Sequence, residues 1–260
     1  MRTLALTVAY DGTEWAGFQR QTRYPSVQRE LEDALTKVFQ HQVEIAAAGR
    51  TDAGVHALGQ VISFQSDNPL PVERIPLAVN RLLPASILIR NAMERPMGFN
   101  ARHSARFRRY WYLVQHTHQP DPIRGRFVWQ VMKKIDVCAM QQALASMIGR
   151  HDFAAYCHGE IAPWRTTMRC IQRAQVRYWR GCIVVDIQAD AFLHQMVRLL
   201  VANLVKVGSG ERSVHWLEEL RQSRDRYLAG KGAPPHGLFL MRIGYPPSGE
   251  STPFGVDAEN

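Results

Sequence analysis

Gly49-Arg50-Thr51-Asp52-Ala53-Gly54-Val55-His56-Ala57 is a polar turn set between two strand patterns. Before it, Val43-Glu44-Ile45 alternates apolar and polar; after it, Gln60-Val61-Ile62-Ser63-Phe64 is β-branched and apolar. These patterns predict strands over about 42–48 and 59–65. Glycine lets the backbone take positive φ and approach a ligand closely. Arginine grips phosphate or carboxylate with a planar fork of donors. A carboxylate in such a frame suits an active-site turn. Asp and Gly are also ordinary turn residues, so the run alone leaves a catalytic and a structural Asp52 both open.

Outward from the turn, the pattern is that of an α+β protein. Residues 2–10 alternate around Leu4, Leu6 and Val8 and predict a strand. A loop over 11–25 leads to Ser26, placed to cap a helix over about 27–40 with Val27, Leu31, Leu35 and Val38 at helical spacing. Pro71 opens a helix over about 72–82, and 86–93 reads as a strand. The second half repeats this grammar. A strand at 106–116 precedes a basic loop at 117–126, and Asp136 caps a helix over 137–149. Strands at 168–179 and 182–189 meet across Arg180-Gly181, a tight hairpin signal. Helices at about 192–207 and 213–222 and a strand at 238–245 follow. The expected organisation is an N-terminal half at 1–105 carrying Asp52, a C-terminal half at 106–245, and a mobile tail at 246–260 rich in Pro, Gly, Ser and acidic groups.

Composition narrows the partner. The 260 residues are 46% hydrophobic and 21% charged, as in ordinary folded proteins. No apolar run is long enough to span a bilayer, and the start of the chain has no signal-peptide pattern, so a cytoplasmic protein is expected. Four cysteines without a Cys-x-x-Cys pair argue against a thiolate zinc site, and although His116-Thr117-His118 and His56 carry metal-binding side chains, no His-x-x-x-His pair sits near a carboxylate. A net charge of +9 favours a polyanion. Arg102, Arg106, Arg108 and Arg109 are interleaved with Phe107, Tyr110, Trp111 and Tyr112. Cations beside aromatic rings suit a flexible or flipped nucleic acid; a half-buried strand with arginines on its wet face has the same composition.

The nine-residue turn closely resembles the active-site signature of the TruA family of tRNA pseudouridine synthases, and further segments match in the family's order. Tyr10-Asp11-Gly12 with Gly17-Phe18-Gln19 is similar to its N-terminal loop. Phe99-Asn100-Ala101-Arg102 and Arg109-Tyr110-Trp111-Tyr112 resemble its central tyrosine segment, with Asn100 where histidine is common. His151-Asp152-Phe153 is similar to the start of its second-half loop, Ala191 to Arg198 resembles its arginine-bearing helix, and Ala233 to Leu240 its final strand. The resemblance implies two similar halves whose mainly antiparallel sheets join around a central cleft, with helices on the outer faces.

It also implies a reaction: uridine becomes pseudouridine at positions 38, 39 and 40 of the tRNA anticodon stem-loop. The bond from ribose C1′ to uracil N1 breaks and one from C1′ to C5 forms, so no redox cofactor is required and none is expected. A carboxylate can hold one fragment covalently while the base reorients. By resemblance Asp52 is that nucleophile, attacking either uracil C6 or ribose C1′. Arg198 is the arginine that faces it, and Tyr110 the active-site tyrosine, whose ring stacks on the extruded base and whose hydroxyl helps remove the C5 proton. Tyr112 shares a strand face with Tyr110, and only the motif separates them. Arg50 matches a residue for binding or flipping the nucleotide, and Leu240, with Leu238 as the alternative, the apolar contact to the base. Gln19, Arg20, Arg23, Arg102 and His56 are weaker RNA-contact candidates. The resemblance implies a homodimer acting on tRNA, with no membrane and no metal. A catalytically silent RNA-binding protein of the same fold is the alternative, and an intact Asp52, Tyr110 and Arg198 argue against it.

Overall fold

The computed structural model describes residues 1–159 and 166–246. Strand β1 (Arg2–Tyr10) buries Leu4, Leu6 and Val8 completely. The chain then crosses a loop into helix α1 (Val27–Phe39), whose Val27, Leu31, Leu35 and Phe39 form its buried stripe. Truncating one of these, as in Leu31→Ala, would cost about 2–5 kcal/mol. Ser26 occupies the N-cap position without a side-chain bond to the helix. Instead Val27 N–H donates to the Gly17 carbonyl (3.3 Å) and Gln28 N–H to the Phe18 carbonyl (2.9 Å). The loop backbone thus serves amides that a capping side chain otherwise would.

Of the strand expected over 42–48, only β2 (Ala46–Ala47) forms. The amides of Val43 and Ile45 donate to Thr36 Oγ1 and Glu32 Oε1 of α1, each at 3.1 Å, so helix side chains replace a ladder. Strand β3 (His56–Ser66) follows the turn. The helix expected over 72–82 is a 3₁₀ turn at Val72–Arg74 running into α2 (Ile75–Asn80); Ile75 and Val79 are buried, but Leu82 is exposed. Strand β4 (Ile87–Arg95) closes this half, and β5 (Phe107–His116) and β6 (Trp129–Val131) open the next. Asp136 does cap α3 (Val137–Ala145), accepting from Ala139 N–H at 3.0 Å. That helix stops short of 149 because β7 (Gly149–Asp152) begins there.

Strands β8 (Met168–Trp179) and β9 (Cys182–Ala189) pair across Arg180-Gly181, both at positive φ, as a two-residue hairpin turn requires. Helix α4 spans Met196–Gly208, later than the 192–207 expected; Gln195 is left-handed at φ 57, so Phe192, Leu193 and His194 stand outside it. Helices α5 (Trp216–Ser223) and the unforeseen α6 (Arg226–Ala229) lead to β10 (Leu238–Gly244). The tail expected over 246–260 lies, Pro246 aside, outside the described residues.

The strands form one mixed, mainly antiparallel sheet in the order β4-β1-β3-β10-β5-β9-β8-β7, with β2 on β3 and β6 on β5. Helix α2 lies against β4 and α3 against β8, while α3, α4 and α5 pack on one another. Strand β10 joins the halves. It runs parallel to β3, pairing Phe239 with His56 and Leu240 with Ala57, and antiparallel to β5, pairing Leu240 with Tyr110. The conspicuous turn therefore enters the sheet at its seam. Along β5, Tyr110 and Tyr112 point to one face, whereas Arg109 and Trp111 point to the other.

Candidate active site

The turn is fixed from several sides. Val55 N–H donates to the Asp52 carbonyl at 3.2 Å, closing a tight turn in which Gly54 sits at φ +75, a conformation that penalises any side chain. A Cβ there would also press on Pro235 at 3.0 Å. Phe18 N–H donates to the Thr51 carbonyl (3.1 Å), and the Thr51 hydroxyl meets the Tyr10 hydroxyl at 2.8 Å. The fully buried Gln60 grips Gly49 at both backbone groups: Nε2 donates to its carbonyl (2.6 Å) and Oε1 accepts from its N–H (3.3 Å). A two-point amide clamp of this kind sets the direction of the chain just before Arg50 and Asp52.

Asp52 itself keeps 27% of its side chain exposed, enough to meet a substrate. Arg198, 146 residues away on α4, donates Nη1–H to Asp52 Oδ2 at 3.1 Å and Nε–H to the Ala233 carbonyl at 2.8 Å. Ala233 N–H returns a bond to the Arg198 carbonyl at 3.0 Å, so the guanidinium is held from two directions. The other Asp52 oxygen, Oδ1, faces His194 Nε2 at 3.6 Å.

Tyr110 lies beside this pair. Burial first, then the neighbouring Tyr10 and the Asp52 carboxylate, push its phenol well above the ordinary value, against a weaker pull from Arg108. Phe192 packs edge-on against its ring at 5.1 Å between centroids. A Cβ on Gly49 would stand 3.8 Å from the Tyr110 hydroxyl and 4.0 Å from Leu240, so that glycine borders both side chains. Tyr112 is separated from Tyr110 by its chemistry as well as its position: its hydroxyl is spent on the Pro234 carbonyl at 2.7 Å.

The other sequence candidates fall into two groups. Arg50, Gln19 and Arg102 are exposed, and Arg20 is exposed while its tip pairs with the buried Glu32. His56 does not fit an RNA contact. It is only 2% exposed, stacks on Phe239 at 4.7 Å, accepts from Gly12 N–H at Nδ1 (3.0 Å) and places Nε2 on the His236 carbonyl (3.1 Å). Those partners fit the Nε2–H tautomer of a neutral ring, with Asp11 Oδ1 also 3.2 Å from Nδ1. Burial lowers its pKa despite the opposing Asp11. His56 supports the end of the turn from inside. The arginine-rich strand also divides. Arg108 donates to the carbonyls of Ala48, Ala105, Asp190 and Arg102, and Arg109 pairs with Asp186, so both are internal; Arg102 and Arg106 remain on the surface.

Sequence reading assigned no role to His194, Phe192, Tyr10 or Gln60. No local pattern signalled His194, which stands before α4 and the left-handed Gln195. Gln60 was signalled by polarity inside an otherwise apolar strand.

A sequence profile of the family described as tRNA pseudouridine synthase matches residues 6–104 and 143–246. The tRNA pseudouridine synthase A of Aeromonas hydrophila subsp. hydrophila is 42% identical over 248 residues, covering 94% of this chain and 90% of that protein. That of Halalkalibacterium halodurans is 39% identical over 245 residues, covering 93% and 92%. That of Caldicellulosiruptor bescii is 35% identical over 245 residues, covering 94% and 100%.

Proposed function

Because this chain belongs to the tRNA pseudouridine synthase family and isomerises uridine in tRNA, we propose that Asp52 is its nucleophile and that Arg198 aims it. The observation that carries this reading is the Asp52–Arg198 bond at 3.1 Å, made across 146 residues at the seam of the sheet. The guanidinium occupies Oδ2 and leaves Oδ1 free to attack a nucleotide. The uridine leaves its stack to reach that oxygen, which costs a few kcal/mol. Tyr110 gives it an aromatic wall, with the fully buried Leu240 paired beside it on β10, and one stacked base returns about 1–3 kcal/mol. Arg50 stands two residues before the nucleophile and guides the flipped nucleotide, while Arg102, Gln19 and Arg20 meet the RNA farther out.

The targets are uridines 38, 39 and 40 of the anticodon stem-loop, the enzyme is a cytoplasmic homodimer, and one tRNA lies across both subunits. Among the described residues no helix is long and apolar enough to cross a membrane.

The test uses tRNA carrying tritium at uracil C5, incubated with the protein and no added metal. Isomerisation releases the label to water without cutting the chain, and mapping the product gives the positions. Binding without release would establish the silent RNA-binding alternative; modification confined elsewhere would overturn the anticodon assignment. Sedimentation of the free protein as a monomer would remove the dimer.

A further inference from the structure

We infer that Tyr112 is a positioning residue of this site: through the strap 233–237 it fixes the place where Arg198 meets Asp52. The inference rests on Asp52 being the nucleophile and Arg198 the group that aims it. The two stand 146 residues apart, one on a turn and one on α4, so neither element sets the distance between them. A segment that touches both can set it, and the tolerance is small. A misplacement of about 1 Å can cost roughly 10²-fold in rate.

The strap touches both, residue by residue. Ala233 engages Arg198 twice: its carbonyl accepts from Nε–H at 2.8 Å, and its N–H donates to the Arg198 carbonyl at 3.0 Å. Pro235 lies against the turn, where a Cβ on Gly54 would come within 3.0 Å of it. The His236 carbonyl meets His56 Nε2 at 3.1 Å, at the end of the same turn. Between these attachments stands Pro234, whose carbonyl accepts from the Tyr112 hydroxyl at 2.7 Å. Adjacent prolines stiffen the strap, since each ring fixes φ and restricts the residue before it; Pro234 sits at φ −53 and ψ 145. A movement at Pro234 therefore passes to Ala233 on one side and to Pro235 on the other.

Tyr112 is built as an anchor for that carbonyl. It pairs with Leu238 across β5 and β10, and none of it is exposed. Its ring lies between Trp129, edge-on at 6.1 Å between centroids, and Gly237, where any Cβ would come within 2.8 Å of the ring. Burial pushes the phenol well above its ordinary value, against a pull from Arg198, so the hydroxyl keeps the proton it donates to Pro234. The two tyrosines on this face of β5 thus divide the work. Tyr110 is given to the nucleotide and Tyr112 to the support of the arginine.

The experiment is a double-mutant cycle on the full chain. Tyr112→Phe deletes the hydroxyl and keeps the ring. Single-turnover pseudouridine formation and tRNA affinity are measured for wild type, Tyr112→Phe, Arg198→Met and the double variant, with circular dichroism and urea denaturation giving the folded fraction. The expected result for Tyr112→Phe is a rate per folded molecule lowered roughly 3–10-fold, the worth of one neutral hydrogen bond. Affinity should stay within about two-fold, because phosphates supply most of the binding. Added to Arg198→Met, the same change should slow the reaction no further, because residues that act through one another are not additive. A wild-type rate for Tyr112→Phe, beside a slow Arg198→Met, would overturn this inference alone. So would a loss explained wholly by the folded fraction, or equal slowing in both backgrounds. Should Tyr112→Phe not fold, Ala233→Gly loosens the same strap while keeping its backbone bonds. It carries the same expectation: slowing in the wild-type background and none beyond Arg198→Met, with either failure overturning the inference. If Arg198→Met itself turned over like wild type, the aiming role would fail, and this inference with it.

Discussion

Asp186 lies on β9 with none of its side chain exposed, and its oxygens accept from Arg109 Nε (2.8 Å), Arg109 Nη2 (2.6 Å) and Arg173 Nε (3.0 Å). Asp52 lies on a turn, accepts one bond from Arg198 at 3.1 Å, and faces His194 across 3.6 Å. Arg109 and Tyr110 are neighbours on β5, so one strand presents an arginine to the first carboxylate and an aromatic ring beside the second. The first site spends its acceptors on two guanidinium groups. The second has one oxygen held and one open. A carboxylate saturated with charge-assisted bonds is a fastener; one left with an unfilled acceptor is available for chemistry.

The same substitution at both positions tests this contrast most severely. Asp52→Asn is expected to reduce pseudouridine formation below detection while leaving tRNA affinity within a few-fold, because phosphates supply most of the binding. Measurable turnover by the purified variant would end the nucleophile assignment. Asp186→Asn should do the converse. Leaving two guanidinium groups without their shared carboxylate should cost about 3–5 kcal/mol of stability, read by urea denaturation, with turnover per folded molecule close to wild type. A stability change under about 1 kcal/mol would show that the second clamp holds little.

The cation side of the contrast gives the next effect. Arg198→Met keeps helix propensity and stem packing but removes the group that aims Oδ2. If Arg198 aims Asp52 as proposed, turnover should fall roughly 10²–10³-fold, comparable to removing one preorganised donor, with the circular dichroism spectrum unchanged. Near wild-type turnover would separate Arg198 from the reaction.

The smallest effect concerns the support under the turn. Burial holds the His56 pKa below its ordinary 6.5, and His236 is shifted the same way. The unfolded chain therefore binds protons first as pH falls. The stability these rings contribute is full above about pH 6.5 and is lost as pH drops through the unfolded value toward the folded ones. Thermal midpoints measured from pH 8 to 5 should decline more for wild type than for His56→Gln. Parallel curves would show that His56 does not titrate with folding.

Legibility in the sequence followed the range of the interactions. The β8–β9 hairpin was readable because Arg180-Gly181 is a local turn signal, and Asp136 because a cap acts within one helical turn. The strand over 42–48 misled because its amides are satisfied by Thr36 and Glu32 of a helix, which alternation does not encode. Arg108 and Arg109 looked like phosphate ligands because composition counts cations without their partners, which here are distant carbonyls and Asp186. The Asp52–Arg198 pairing came from motif resemblance; no local pattern spans 146 residues. His194 escaped because the helix begins four residues later than its periodicity suggests, behind the left-handed Gln195.

The place of β10 between β3 and β5 also sets an order of events during synthesis. Asp52 leaves the ribosome early, but the strand that seats its turn beside Tyr110 is the last described in the sheet. At about 5–20 residues per second, the interval between them is on the order of ten seconds or more. For most of that time the nascent chain carries Asp52 without Arg198, and for all of it without the central strand. The edges of β3 and β5 that β10 covers stay open until it arrives, so a chain stalled before Leu238 lacks the assembled seam and is exposed to wrong strand pairing.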